Sequence, residues 1–432
     1  MKKKIFSFIG TAFCSALIVS SLSSTAFAAN DISVKVDDVA VEFTDVKPII
    51  ENSRTFVPFR AIFEQMDAEV SWNNKTNTIT AVRDDTTVSF TIGRQEVIIT
   101  EDGVSETKLI DVAPFIRDNR TYVPIRFASE ALGACVDWVS DTRTVLIVDV
   151  DKLMSEYENQ FENIQKYIDF TNENVALTGT FNNSMTYKTA MGNIPVNTNG
   201  IVNGIKNNSD LEFSGNATTD INSIKSAIIT NEGETAINSQ IESMLNSLAS
   251  GSYSAISSDN KLYLSGSVFT PLGLEENTWA CVSEFNKDFP DGNFVDYLTS
   301  TAQTIKLNTN PNNTVGTVKA YLDSMKNIYG DNGFTTNEDG SISLNNNSIT
   351  LKMSFDENKN ISDAVLTTNK NENGVNISTS SHNTANTYDF ALNLSGGKTL
   401  DINFALTAQK SSTNIKPTTI PNGDVIDIKL NY

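Results

Sequence analysis

The sequence predicts an α+β protein in which a tandem antiparallel-sheet-plus-helix module precedes a β-rich domain with a large antiparallel sheet and covering helices. Three observations carry this. The stretch Arg54 to Trp72 recurs as Arg120 to Trp138 at an offset of 66 residues, with nine of nineteen paired positions identical, so a supersecondary unit has been duplicated. Beyond residue 172, short segments alternate between apolar and polar residues, the pattern of half-buried strands. Helical spacing appears only between two such groups. Strands, then helices, then strands is the order of an antiparallel sheet rather than of parallel βαβ units.

Residues 1–28 come first. A basic Met1-Lys2-Lys3-Lys4 start, an apolar run from Ile5 to Val19 and Ala26-Phe27-Ala28 before Ala29 read as a secretory signal peptide. The run is interrupted by Gly10, Thr11, Cys14 and Ser15 and is short for a membrane span, which needs about 20 apolar residues. Phe13 is too bulky for a lipobox before Cys14. The expectation is a protein that is secreted or held at the cell envelope, with no stable membrane insertion.

Residues 29–150 hold the duplication. Val46 to Ile50 and Thr55 to Val57 are short apolar runs around Glu51-Asn52-Ser53, a turn composition. Pro58 stands where a helix begins, a place that tolerates its missing N–H. Phe59, Ile62 and Met66 follow at spacings of three and four, as do Ile125, Ala128 and Leu132 after Pro124, giving each helix one apolar face. Asp67 and Gly133 occupy the helix exits, where a left-handed residue is needed. Val70 and Trp72, and Val136 and Trp138, then alternate with polar residues as strands. A unit of about 60 residues has a thin core of its own, so two copies packed together are expected. Arg54, Arg60, Arg120 and Arg126 recur as well. Arg60 and Arg126 lie in a first helical turn, where the dipole disfavours a cation, and Asp45 and Asp111, repeated in step, are the expected compensation.

The R-T-[FY]-V-P-x-R signature, the helix ending before Ala68 or Gly133-Ala134, and the V-x-W strand resemble the copper amine oxidase N-terminal-like domain of secreted Gram-positive bacterial proteins. The resemblance covers residues 32–148. It implies an antiparallel sheet with a helix, the stalk of the enzyme for which the family is named, lying away from the copper site. It does not imply catalysis. The repeat signature Arg54, Pro58, Arg60, Trp72, Arg120, Pro124, Arg126 and Trp138 is therefore read as structural.

Residues 151–171 carry Leu153, Tyr157, Phe161, Ile164 and Ile168 at spacings of three and four, an amphipathic connecting helix. Residues 172–432 form the β-rich part. Strands are expected at Val175 to Tyr187, Ile201 to Phe213, Leu262 to Phe269, Ile342 to Leu344, Ile349 to Phe355, Tyr388 to Leu394 and Leu400 to Leu406, with a hairpin at Ser395 to Lys398. Apolar stripes at Ile237 to Leu248, Phe294 to Leu298 and Val318 to Ile328 are expected to cover that sheet. The order resembles the half-barrel carriers of bacterial envelopes at Lys261 to Leu264, Asn277-Thr278-Trp279 and Ile420 to Val425, while the Asn-rich composition departs from them.

The chemistry is sparse. His382 is the single histidine, in Ser-Ser-His-Asn-Thr, read as a polar loop. Copper in an amine oxidase needs several imidazoles, so counting excludes a His-based copper centre. Thr335 to Gly340 partly matches a calcium loop, but Thr335 and Asn346 stand where carboxylates are needed. A turn is the better reading there, as at Asp356 to Asn360. No catalytic, cofactor-binding or metal-ligating residue is assigned. After signal removal Cys135 and Cys281 remain, too sparse for a disulfide framework. A formal charge of −20 disfavours nucleic acid and anionic membranes as partners. The reading is a non-catalytic binding or structural protein whose partner is an envelope or extracellular protein or polymer. The alternatives are a carrier of an apolar small molecule and a hydrolase with an unmarked carboxylate pair.

Overall fold

A computed structural model describes residues 31–428, except 102, 191, 208–209, 259–260, 273, 276–277, 284–291, 373, 399 and 413–423. The signal peptide, Asn277 and the Ile420 to Gly423 stretch thus lie outside the described residues. Two units result. One holds the chain up to Phe161 together with Val295–Ile328; the other holds Glu162–Phe294 and the chain from Tyr329 onward. Among the described residues, no helix is long and apolar enough to cross a membrane.

In the first unit the chain runs β1 (Ser33–Val36), β2 (Val39–Ala40), β3 (Ile49–Glu51), β4 (Arg54–Pro58), α1 (Phe59–Gln65), β5 (Glu69–Asn73) and β6 (Thr78–Arg83). It continues through β7 (Thr86–Thr91), β8 (Glu96–Glu101) and β9 (Val104–Leu109). Then come β10 (Phe115–Arg117), β11 (Arg120–Pro124), α2 (Ile125–Glu130), β12 (Ala134–Val139), β13 (Thr144–Asp149) and α3 (Val150–Met154). Left-handed backbone recurs in step: Asn52, Ser53, Asp67 and Asn77 in the first half, Asp118, Asn119, Gly133 and Arg143 in the second. Two consecutive positive φ angles make the tight hairpins between β3 and β4 and between β10 and β11. After α1, the Ala68 N–H donates to Phe63 O at 2.9 Å, which closes the helix around left-handed Asp67.

The two signature strands pair with each other, β4 against β11, with Val57 opposite Val123. One core cluster contains Phe59, Ile62 and Phe63 of α1 and Ile125, Ala128 and Leu132 near α2, so neither half has a core to itself. The halves then diverge. After α1 the chain forms a five-stranded sheet in the order β5-β6-β7-β8-β9, whereas after α2 strands β12 and β13 join β1 and β2. There β1 runs parallel to β13.

The second unit begins with α4 (Glu162–Thr171), followed by β14 (Asn174–Thr189), β15 (Gly192–Asn207), β16 (Asp210–Thr219), α5 (Ile221–Glu232) and α6 (Ser239–Leu248). It continues with β17 (Ser250–Ser258), β18 (Lys261–Ser265) and β19 (Trp279–Ser283). After the segment that returns to the first unit come β20 (Phe334–Thr336), β21 (Ile342–Asn345), β22 (Ile349–Phe355), β23 (Ile361–Glu372), β24 (Val375–Thr384), β25 (Thr387–Ser395), β26 (Leu400–Ser411) and β27 (Val425–Ile428). All belong to one fourteen-stranded sheet, β20 through β26 in sequence, then β14 through β19, then β27. The pairs are antiparallel except β19 with β27. The α+β class expected from sequence is therefore the observed one, and α5 and α6 pack on β15 and β17.

The strand expected at Ile201 to Phe213 divides between β15 and β16, and the one expected at Leu262 to Phe269 ends at Ser265; three larger expectations are also revised. The connecting helix is not continuous: α3 ends at Met154, a 3-10 turn covers Glu158–Gln160, and α4 starts at Glu162. The Asp331 carboxylate accepts the N–H groups of Glu162 and Asn163 at 3.0 and 2.8 Å, an anion at a new helix start. The second revision is that Ser-Ser-His-Asn-Thr lies inside β24 rather than in a loop. The third concerns the last two helical stripes, which fold as α7 (Phe294–Ala302) and α8 (Thr314–Tyr329). Residues 295–328 group with the first unit. Asp38 accepts from the Thr314 N–H and hydroxyl at 2.8 Å each and from the Val315 N–H at 3.1 Å, capping α8. Asp137 likewise accepts from the N–H groups of Leu307 and Asn308.

Candidate functional site

The signature residues sit where their chemistry is structural. Pro58 and Pro124 end β4 and β11 and form the N-caps of α1 and α2, one position earlier than a first helical residue. Arg54 binds Asp111 at 2.5 Å, and Arg120 binds Asp45, so the two halves exchange partners. Asp45 and Asp111 are thus not the partners of Arg60 and Arg126. Arg60 instead reaches Glu64 at 2.9 Å and Val70 O at 3.2 Å, and Arg126 lies 4.0 Å from Glu130. An anion one turn along the helix compensates each cation that the dipole disfavours. Trp72 and Trp138 are half-buried against the core, opposite Ile79 and Val145. The indole N–H of Trp72 is satisfied by Asn74 Oδ1 at 2.5 Å.

Sequence reading missed a buried polar knot beneath these residues. Arg83 is 12% exposed and Asp149 3%, and they meet at 2.5 Å. Arg83 also donates to Leu132 O at 2.7 Å, and Asp37 Oδ1 accepts from the Asp149 N–H. Burial raises the carboxyls of Asp37 and Asp149 above the usual range, against the pull of the neighbouring cations. It pushes Asp151 up to about 6. A Cβ on Gly133 would lie 1.6 Å from Asp151 Oδ2, so glycine is required there by space as well as by its φ of 73°. Cys135 is a buried thiol that donates to Ile305 O; burial pushes it up to about 12, which makes it inert rather than nucleophilic.

In the second unit, a groove of about 530 Å³ crosses six adjacent strands, β23, β24, β25, β26, β14 and β15. Strand alternation places Asn182 and Ser184, Asn197 and Asn199, Asn393, Asn403, Ser378, Ser380 and Thr367 on this face. No charged side chain lines it, although the chain carries −20 overall. Ser184 Oγ donates to Asn197 Oδ1 and Asn393 Nδ2 to Asn403 Oδ1, both at 2.7 Å. These pairs orient the amides and leave further donors and acceptors open. Phe404 and Leu392, in the alternate strand phase, also line the groove; in that phase Phe181 stacks on Phe404 at 5.7 Å and meets Tyr253 edge-on at 5.5 Å. Gly200 leaves room for the Phe181 ring, which a Cβ would approach to 2.2 Å.

Next along the polar face, His382 Nε2 lies 2.5 Å from Asp363 Oδ2 and Nδ1 lies 3.5 Å from Asp389 Oδ2. Among the described residues, no serine or cysteine side chain is hydrogen-bonded to His382. Among the described residues, no group of three or more His, Cys, Asp or Glu side chains is arranged to hold a metal. In the Thr335 to Gly340 stretch, Thr335 and Thr336 end β20 and the remaining four residues turn the chain towards β21. There Asp339 binds Lys352 at 2.8 Å and accepts the Ser341 N–H, and these bonds hold its carboxyl below the usual range. Asp356 to Asn360 is the hairpin turn expected, closed by the Asp356 N–H to Asn360 O at 2.9 Å.

Residues 35–147 match the family described as the copper amine oxidase N-terminal domain. This family is of non-catalytic, stalk-like domains, and the match spans both halves of the first unit up to β13 but not residues 295–328. No curated protein matches the chain.

Proposed function

We propose that the chain is an exported, non-catalytic binding protein. In this reading the first unit is a duplicated stalk-type module that works as a scaffold, and the polar groove of the second unit binds an uncharged, hydroxyl-rich polymer of the cell envelope. Export is supported by the basic start, apolar run and Ala26-Phe27-Ala28 at the N-terminus. The observation that carries the binding role is the groove lining. Amides and hydroxyls from six strands offer donors and acceptors without charge, beside apolar surface from Ala391, Leu392, Phe404 and Ala405, which matches the hydroxyl edges and apolar ring faces of a neutral glycan better than an anionic polymer. Its open shape suits a chain laid across the strands more than an enclosed small molecule. Asn393 and Asn403, already aligned by their mutual bond, are the expected centre of the contact.

Co-sedimentation of the purified protein with insoluble cell-wall glycan, and titration with soluble neutral glucans, tests this. Saturable binding is expected, weakened about tenfold or more by the Asn393→Ala/Asn403→Ala double variant, since each lost polar contact removes roughly 0.5–1.5 kcal/mol. No saturable binding to either polymer, or binding that the double variant leaves unchanged, overturns the groove assignment.

A further inference from the structure

Among the described residues, strand β9 is the open edge of the five-stranded sheet, hydrogen-bonded to β8 alone. All six of its residues are exposed. Val104 and Leu109, at 74% and 84%, exceed every other exposed large hydrophobic side chain described. An edge of this kind exposes a row of unused N–H and C=O groups, which proteins ordinarily blunt with charge. Here the charges do not blunt it. The strand reads Val104-Ser105-Glu106-Thr107-Lys108-Leu109, with opposite charges placed symmetrically about Thr107.

We propose that β9 pairs antiparallel with β9 of a second copy of this chain, about a two-fold axis at Thr107, joining two five-stranded sheets into one. The phase of the ladder supports this register. The Ile110 N–H bonds Gln95 O, so the even-numbered residues 104, 106 and 108 exchange bonds with β8. The N–H and C=O groups of Ser105, Thr107 and Leu109 therefore point outward. An axis at Thr107 sets Thr107 against its own equivalent and Ser105 against Leu109, giving about six new backbone hydrogen bonds. It also sets Glu106 opposite Lys108 twice, in the closely spaced non-bonded positions of the ladder. Within one chain Glu106 and Lys108 already lie 3.4 Å apart on the same side of the strand, 66% and 56% exposed. Self-association here is isologous and closes at two copies. It is independent of the groove.

Sedimentation velocity of the full chain over micromolar concentrations reads the outcome. The wild type is expected to pass reversibly from monomer to dimer. Lys108→Glu sets like charges opposite each other and is expected to weaken the dimer about tenfold or more. The exchange Glu106→Lys/Lys108→Glu restores complementarity and the dimer. Thr107→Pro removes an outward N–H without breaking a β8 bond, and is expected to be monomeric with an unchanged circular dichroism spectrum. A wild type that stays monomeric across the range, or a dimer indifferent to both Lys108→Glu and Thr107→Pro, overturns the proposal.

Discussion

Arg83 and Asp149 stand 66 residues apart, at the same place in the two halves, and they are each other's partner. Glu51 and Arg117 repeat the arrangement at the surface, 2.7 Å apart. In both cases one half carries the cation and the other the anion, so the two halves are complementary rather than interchangeable. The buried pair brings Asp151 with it, 3.4 Å from Arg83. Burial pushes that carboxyl up to about 6, whereas an unfolded chain titrates near 3.9. The folded state therefore binds a proton first, and this residue's contribution to stability rises as pH falls through 6 and is complete below about 4. Asp151→Asn removes the ionised group, so the variant is expected to melt higher than wild type at about pH 7.5, with the gap narrower at about pH 5 and gone below about 4. The side chain keeps 46% exposure, and water screening limits the gap to about 1 kcal/mol or less. Thermal melts that coincide at both pH values contradict the assignment.

At the scale of the element, the helices and not the tryptophans anchor the first core. Phe63 is fully buried and stacks on Phe59 at 3.9 Å, while Trp72 lies on β5, at the edge of its sheet. Phe63→Ala is expected to cost about 3–5 kcal/mol and Trp72→Ala only about 1–3 kcal/mol, measured by urea denaturation. Equal costs would place the core elsewhere. The spacing of Phe59, Ile62 and Met66 made α1 legible in sequence, as Ile402, Phe404 and Leu406 did for β26. Strand β24 was not legible because its outward residues are Ser and His, and its buried polar residue is Asn383; flanking strands supply its order. The start of α5 was missed although its signal was present, with Asp220 Oδ1 accepting from Asn222 and Ser223. The break before α4 had no local signal, because its cap is Asp331. The groove was half legible: Asn182, Ser184, Asn393 and Asn403 fall in expected strands as the polar half of an alternation, Asn197, Asn199, Ser378 and Ser380 fall in none, and the groove across six strands belongs to the sheet, not to any one segment.

At the scale of the whole molecule, the family match ends before the unit does. Asp38 and Asp137 aim their carboxylates at the N–H groups of Thr314 and Leu307, Tyr157 donates to Asp323 at 2.7 Å, and Lys319 binds Glu156. A fragment ending at Phe161 loses all of these. It is expected to be at least about 3 kcal/mol less stable than the same region in the full chain, since caps and buried hydrogen bonds are worth about 1 kcal/mol each. Hydrogen exchange at the β12 and β13 amides measures it, and equal protection in fragment and full chain would make residues 295–328 dispensable. The same feature sets a clock. A ribosome adding about 5–20 residues per second needs roughly 7–30 s to make Glu162–Phe294 after Phe161 has emerged. Throughout that interval Asp38 and Asp137 await partners that do not yet exist. The segment made first is therefore among the last to be finished.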